Sequence, residues 1–256
     1  MKKLRRITEA EVIAEFLKGE FFHKEYEADR ERFARIVHTP NLADEAENEL
    51  RRVLLFRRRD TMWWELPEDR QWWEIEFEPA DIDRVSVFPR AHWRTLAEGN
   101  FSARHVAERV RQLLAARHPD DFVRKIGTIA NDCAGGDSPG LVIFLGLDEH
   151  CPVTLLEGNH RFVASLLRPD RNLLAGARTV GVFSPSMEKC CWYRTSFFTL
   201  ARCLKNRIQH YWDRAPDLDR LLQQTAQARA IAGLEESAGA VNSAMKSPIG
   251  SKMISN

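Results

Sequence analysis

Five consecutive residues, Glu157, Gly158, Asn159, His160 and Arg161, set a carboxylate, a glycine, an amide, an imidazole and a guanidinium side by side. They stand where an apolar run, PVTLLE, passes into the helix-forming residues FVASLL. A helix that opens at such a junction points unpaired backbone N–H groups outward, and its dipole favours negative charge there by roughly 0.3–1 kcal/mol. Gly158 allows a tight turn with room beside the backbone. Arg161 carries a planar fork suited to phosphate or carboxylate oxygens. His160 is open to three roles: general base, donor to phosphate, or a structural side chain of the first turn. Glu157 either orients that imidazole or is itself the base. The chemistry these types and spacings point to is recognition of an anion.

Other groups are weaker candidates. A metal set would draw on Cys133, His150, Cys151 and Cys190 or Cys191, but none of the close paired spacings of a zinc site is present. The expectation is no metal site, with the cysteines as small buried apolar residues. Asp148 and Glu149 read as solvated acids of a hairpin, the alternative being that one of them helps hold Mg²⁺ against phosphates. Arg51-Arg52 and Arg57-Arg58-Arg59, followed by Trp63 and Trp64, are the residues most suited to nucleic acid. Glu45, Glu47, Glu49, Asp60 and Glu65 interleave with them, so a solvated, ion-paired helix face is expected, with the tryptophans in the core.

The elements that must position the junction follow from periodicity. ITEAEVIAEFLK, residues 7–18, predicts a helix: Thr8 and Glu11 have capping-box spacing, Ile7 can staple onto Val12, and Gly19 is a stop. Further helices are expected over 25–37 and 43–59. In WWEIEFEP, Trp73, Ile75 and Phe77 alternate with Trp72, Glu74, Glu76 and Glu78, which is a strand with one apolar and one largely acidic face. Residues 85–88 form a short extended run. Helices over 102–117 and 119–131 precede a loop, NDCAGGDSPG. Strands over 141–146 and 152–157 pair as a hairpin, and the helix from Gly158 to Leu167 and a strand over 177–183 follow. An amphipathic helix over 190–212 carries Tyr193, Phe197, Leu200, Ala201, Leu204, Ile208 and Tyr211 along one side, expected to face inward. A last helix covers 217–235. The expected organisation is an N-terminal helical subdomain (1–65), a mixed-sheet core (66–185), C-terminal helices packing on it (186–235) and a disordered tail (236–256).

The chain of 256 residues holds 38 Lys plus Arg against 37 acids, a formal net charge of +1. That balance exerts no general pull toward nucleic acid or an anionic membrane. No stretch reaches the roughly 18 apolar residues of a membrane span. The basic start, MKKLRRITEAEV, has no apolar run behind it and does not read as a secretory signal, so a cytoplasmic address is expected. Five cysteines at irregular spacing do not form a disulfide framework. Nothing in the sequence sets the oligomeric state.

Gly158-Asn159-His160-Arg161-Phe162-Val163-Ala164 resembles the G-x-x-R-x-x-A turn of the ParB/sulfiredoxin-like superfamily, and the order of strands and helices over about 70–183 is similar. The resemblance implies an α+β fold with a small mixed β-sheet, flanked here by N-terminal and C-terminal helices. It also implies binding of ATP, ADP or CTP through this turn. Members include CTP-dependent partitioning switches, the sulfinic-acid reductase sulfiredoxin and free-serine kinases. Asn159 stands where sulfiredoxin has its cysteine, no helix-turn-helix follows, and Glu157 stands where the kinase-like members carry Asp. The implied function is an ATP- or ADP-dependent phosphotransferase acting with Mg²⁺ on a small hydroxyl-bearing molecule. Gly158, Asn159 and Arg161 hold phosphate in that reading, and Glu157 or His160 activates the acceptor. The alternative is a non-catalytic nucleotide- or DNA-binding module of the same fold, and a third is a helical interaction protein. LEGNHR is also similar to part of the Fic motif, but Val153 occupies the place of the histidine that Fic chemistry requires.

Overall fold

The computed structural model describes residues 1–116, 118–131, 140–169, 174, 176–212 and 219–226, apart from the side chains of 57–61 and 210–212. The loop residues 132–139 and the expected tail, 236–256, lie outside the described residues, as do the ends of the helix expected over 217–235, which is helical over 219–226.

Six strands form one mixed sheet: β1 (Lys2–Ile7), β2 (Gln71–Glu76), β3 (Val85–Ser86), β4 (Leu141–Gly146), β5 (Val153–Glu157) and β6 (Arg178–Phe183). Their order is β1-β2-β6-β4-β5-β3. β1–β2, β2–β6 and β4–β5 are antiparallel, whereas β4–β6 and β3–β5 are parallel. The helices are α1 (Glu9–Glu20), α2 (Arg30–His38), α3 (Glu45–Trp64), α4 (Ala91–Ala97), α5 (Ala103–Leu114), α6 (Asp121–Asn131), α7 (Asn159–Leu167) and α8 (Phe197–Trp212). The sheet is mixed and covered by helices on both faces, in agreement with an α+β expectation at that level.

Alternation along the strands assigns the helices to the two faces. Leu141, Ile143 and Leu145 of β4, Leu156 of β5 and Val180 and Val182 of β6 pack with α1–α3 in one core. Val142 and Phe144, Val153 and Leu155, Ile75 and Phe183 pack with α4–α7 in the other. Every residue of β4 is buried, as a strand sandwiched between two helical layers requires. The acidic and apolar faces read in residues 72–78 are present: Trp72 belongs to the first core, Ile75 to the second, and Trp73 packs against the second. Phe77 continues that face past the strand, stacked on Phe144 at 5.3 Å. α1 begins as its sequence predicts, with the Thr8–Glu11 capping box formed and both Ile7 and Val12 buried, but it runs through Gly19 to Glu20.

Other expectations are corrected. The first residues are a strand: β1 lies at the sheet edge, and its Lys2 and Arg5 pair with Glu76 (3.6 Å) and Glu74 (2.8 Å) on the acidic face of β2. Cross-strand charge complementarity thus substitutes for apolar burial, and the basic side chains protect an open edge. Arg51 and Glu47 do not face solvent. Both are buried, and the Arg51 guanidinium donates to the carbonyls of Ile36 (2.9 Å) and Asn41 (3.1 Å) as well as to Glu47. Arg51 is therefore an internal tie between α3 and the segment after α2. Trp63 is a core residue, stacked on Trp72 at 5.4 Å with its indole N–H donated to Glu9 at 2.6 Å.

The largest departure is α8, which starts at Phe197 and turns its apolar stripe outward. Phe197 and Phe198 are 81% and 82% exposed, and Leu204 and Ile208 lie at 61% and 54%. Thr199, Cys203 and Asn206 form the side that meets the body. Among the described residues no helix is long and apolar enough to cross a membrane.

Glu11 joins α1 to the sheet. Burial raises its carboxyl pKa, but the Thr8 N–H, the Arg5 hydrogen bond and charge, and the Arg178 charge outweigh burial and bring it below the ordinary carboxylate value. A depressed folded-state pKa contributes stability above the unfolded-state value, about 4.3, which disappears as pH falls through the folded-state value. Glu11→Gln keeps the acceptor oxygen but removes the titration. Its melting temperature is therefore expected to fall less than that of the wild type between pH 7 and pH 3, as followed by circular dichroism.

Candidate functional site

The junction of β5 and α7 is built on close packing against β4. Gly158 is the N-cap residue of α7 in the left-handed conformation, with φ of 83° and ψ of 12°. A β-carbon there would lie 3.0 Å from Val142 Cγ2 and 3.2 Å from the Leu141 carbonyl oxygen. Two constraints therefore select glycine: the positive φ and the approach to a buried neighbour strand. No side chain caps the helix from this position, while the Glu157 carboxylate accepts the Gly158 N–H at 2.9 Å.

The five residues then diverge. Asn159 is buried, and its Oδ1 accepts the Phe88 N–H at 2.8 Å, with Nδ2 3.5 Å from the carbonyls of Leu155 and Leu156. Its amide ties the chain after β3 to the start of α7. His160 turns toward α4 and α6, with its ring 5.0 Å from Trp93 and 4.8 Å from Phe122. Arg161, on the first turn, lies against Gly140, where its guanidinium occupies the space a β-carbon would take. Gly140 also has a positive φ, 71°, so it serves as the seat of that guanidinium immediately before β4. Glu157, Gly158 and Arg161 are brought together around the start of β4, while the Asn159 and His160 side chains are directed into the protein and onto aromatic faces. The interaction of Asn159 with Phe88 has no local sequence signal, because the partner is 71 positions away.

Asp148 and Glu149 lie at the far end of the β4–β5 pair from Glu157 and are engaged there. Asp148 accepts the N–H groups of His150 (2.7 Å) and Cys151 (2.8 Å), which lower its pKa, and Glu149 is lowered by Lys3 at 2.6 Å. The alternative in which one of them meets a metal at the α7 turn is excluded by that separation. The cysteine–histidine set is not assembled either. Cys133 is outside the described residues, the His150 side chain is 84% exposed, and Cys190 and Cys191 are buried elsewhere. Burial pushes the Cys190 thiol up to about 11. The structure gathers instead Glu65, Cys191 and Cys203, all buried. Glu65, the C-cap residue of α3, and Cys203, on α8, escape a reading by spacing because they lie far apart in the chain.

Comparison of the chain with protein-family models, with characterised proteins and with solved structures finds no match.

The dual constraint at Gly158 makes a direct prediction. Gly158→Ala must place a β-carbon in the left-handed region, costing about 1–2 kcal/mol, and also shift Val142 or the Leu141 carbonyl. For a chain of this size that corresponds to a fall of roughly 2–8 °C in melting temperature. Asn159→Ala leaves the Phe88 N–H without its acceptor and is expected to cost about 1–3 kcal/mol. Thermal unfolding of the two variants checks both, and an unchanged Gly158→Ala protein would show that β4 does not confine the turn.

Proposed function

We propose that the protein binds nucleoside di- or triphosphates at the N-terminal turn of α7 and transfers a phosphoryl group to a small hydroxyl-bearing acceptor. ATP or ADP is the preferred nucleotide and CTP the alternative. The observation that carries the reading is the left-handed Gly158 cap with Arg161 on the turn that follows, seated on Gly140. A helix end without a capping side chain, next to a planar cation, offers backbone N–H groups and a bidentate donor to one anion. The resemblance of residues 158–164 to the G-x-x-R-x-x-A turn supports the same assignment and extends it to a ParB/sulfiredoxin-like sheet.

In this reading Asn159 contributes its backbone N–H and Arg161 its guanidinium, while Gly158, whose own N–H is donated to Glu157, leaves room for the phosphate beside the turn. Glu157 is the carboxylate at the junction, placed to orient an acceptor hydroxyl or to share Mg²⁺ with the phosphates. A Mg²⁺ ion needs little more from the protein than one or two carboxylates when a nucleotide supplies the other oxygens. His160 is the second candidate for acceptor activation. The seating of its ring on Trp93 and Phe122, with the Asn159 amide engaged by Phe88, favours as second reading a non-catalytic nucleotide-binding module. The net charge of +1 argues for a small anionic ligand over nucleic acid.

Calorimetric titration with ATP, ADP and CTP, with and without Mg²⁺, tests the proposal. Arg161→Ala is expected to weaken nucleotide binding by about one to two decades, a loss of about 1.5–3 kcal/mol, and Arg161→Lys to restore part of it. Glu157→Ala separates the two readings: a catalyst retains nucleotide but loses turnover, and a binding module has no turnover to lose. A wild-type chain that takes up none of the three nucleotides, or an Arg161→Ala chain that binds like the wild type, overturns the assignment.

A further inference from the structure

The geometry points to a metal site at the end of α3, in which Glu65, Cys191 and Cys203 bind one zinc-class divalent cation that fastens α8 to the body of the protein. It is independent of the nucleotide reading. The three donor atoms, one carboxylate oxygen and two sulfurs, all lie within 4.8 Å of one another, and the residues are 6%, 0% and 7% exposed. Around Zn²⁺, with metal–sulfur distances of about 2.3 Å and metal–oxygen distances of about 2.0 Å, tetrahedral donors stand roughly 3.5–3.8 Å apart. Convergence on an ion therefore asks for movements of about 1 Å or less. Two thiolates and a carboxylate suit zinc over magnesium or calcium, which prefer all-oxygen sites.

Two further observations favour a cation. Glu65 is a buried carboxylate whose Oε2 accepts the Asn206 side-chain N–H at 3.0 Å, and among the described residues it takes part in no ion pair. A buried carboxylate with a neutral hydrogen-bond partner on one oxygen is suited to a metal ion as a further partner. Moreover, α8 meets the body through Thr199, Cys203 and Asn206, while Phe197, Leu200, Leu204 and Ile208 face outward. Among the described side chains of α8, Cys203 is the apolar one that enters the core. A metal bridging Cys203 of α8 to Glu65, the C-cap residue of α3, and to Cys191 supplies an attachment.

The surroundings complete the site. Asn206 orients the Glu65 carboxylate, as outer hydrogen bonds do for metal ligands. The Arg90 guanidinium, 4.8 Å from the Trp192 ring, lies beside the Cys191 sulfur. Binding replaces the two thiol protons with the ion, so two protons leave for each cation bound. The three protein donors leave one position of a tetrahedron for water.

The test uses the full chain purified under reducing conditions from cells supplied with zinc, then desalted. Plasma mass spectrometry is expected to give about one zinc per chain, and chelation to lower the melting temperature by several degrees. Reconstitution with Co²⁺ is expected to produce thiolate-to-cobalt charge-transfer absorption. Cys203→Ser and Glu65→Gln should each reduce zinc well below one per chain, with Cys151→Ser retaining it. Should Cys203→Ser fail to fold, zinc content and the cobalt spectrum of the wild type still decide. A chain that keeps no zinc, gives no cobalt charge-transfer band and leaves Cys191 and Cys203 freely reactive to a thiol reagent after unfolding overturns the site. So does isolation of the same chain with a Cys191–Cys203 disulfide.

Discussion

Burial of β4 on both faces is the constraint from which the architecture follows. Leu141, Ile143 and Leu145 enter one core and Val142 and Phe144 the other, so neither face can be left to water. Each such side chain is worth about 1.5–3 kcal/mol when fully buried, and a bare strand would forfeit that gain. The chain therefore supplies a helical layer from each side, α1–α3 before the sheet is complete and α4–α7 around it. The candidate site is a direct extension of this packing. Gly158 lies against Val142 and Leu141, and Arg161 lies against Gly140 at the mouth of the same strand. Helix α7 is thus placed by core contacts, with α5 and α6 beside it, and the position of its first turn is as rigid as the core beneath it.

Charge performs two different tasks in the first core. At the surface, Arg5, Glu11, Glu74 and Arg178 knit β1, α1, β2 and β6 in a partly solvated network. Inside, Arg51 and Glu47 form a sequestered pair whose guanidinium is spread over backbone carbonyls as well as the carboxylate. Burial lowers the Arg51 pKa more than Glu47 raises it, so the pair is a poor source of net stability. Its effect is to define the path of the segment between α2 and α3, because few alternative backbones would satisfy so many donors.

Much of the fold was legible because its periods are clean. The alternation through Trp73, Ile75 and Phe77, the apolar runs of β4 and β5 and the Thr8–Glu11 box each report a local preference that the tertiary structure keeps. β1 was illegible because KKLRR carries no apolar alternation; it becomes a strand only when the acids of β2 stand opposite. The short helix α4 contains a tryptophan and little periodicity, and it forms because Trp93 and Leu96 find the second core. At the site, the glycine and arginine were readable as types. The use of the Asn159 amide by Phe88 and the aromatic seat of His160 depend on residues many positions away. The outward stripe of α8 defeated the amphipathic rule for a related reason: the rule says which side chains share a face but not which face the protein needs.

The strand order also governs how the chain can be completed during synthesis. β2 is made early, yet the neighbour on its inner side is β6, at residues 178–183, and β4 likewise finds β6 on its other side. Until that strand has left the ribosome, the β1–β2 ribbon and the β4–β5 hairpin are separate pieces, each with an open edge. Pairings of this sequence separation close late and leave hydrogen-bonding edges exposed in the meantime. A ribosome that pauses before residue 183 therefore holds a chain in which both helical layers exist while the sheet between them is split along its centre.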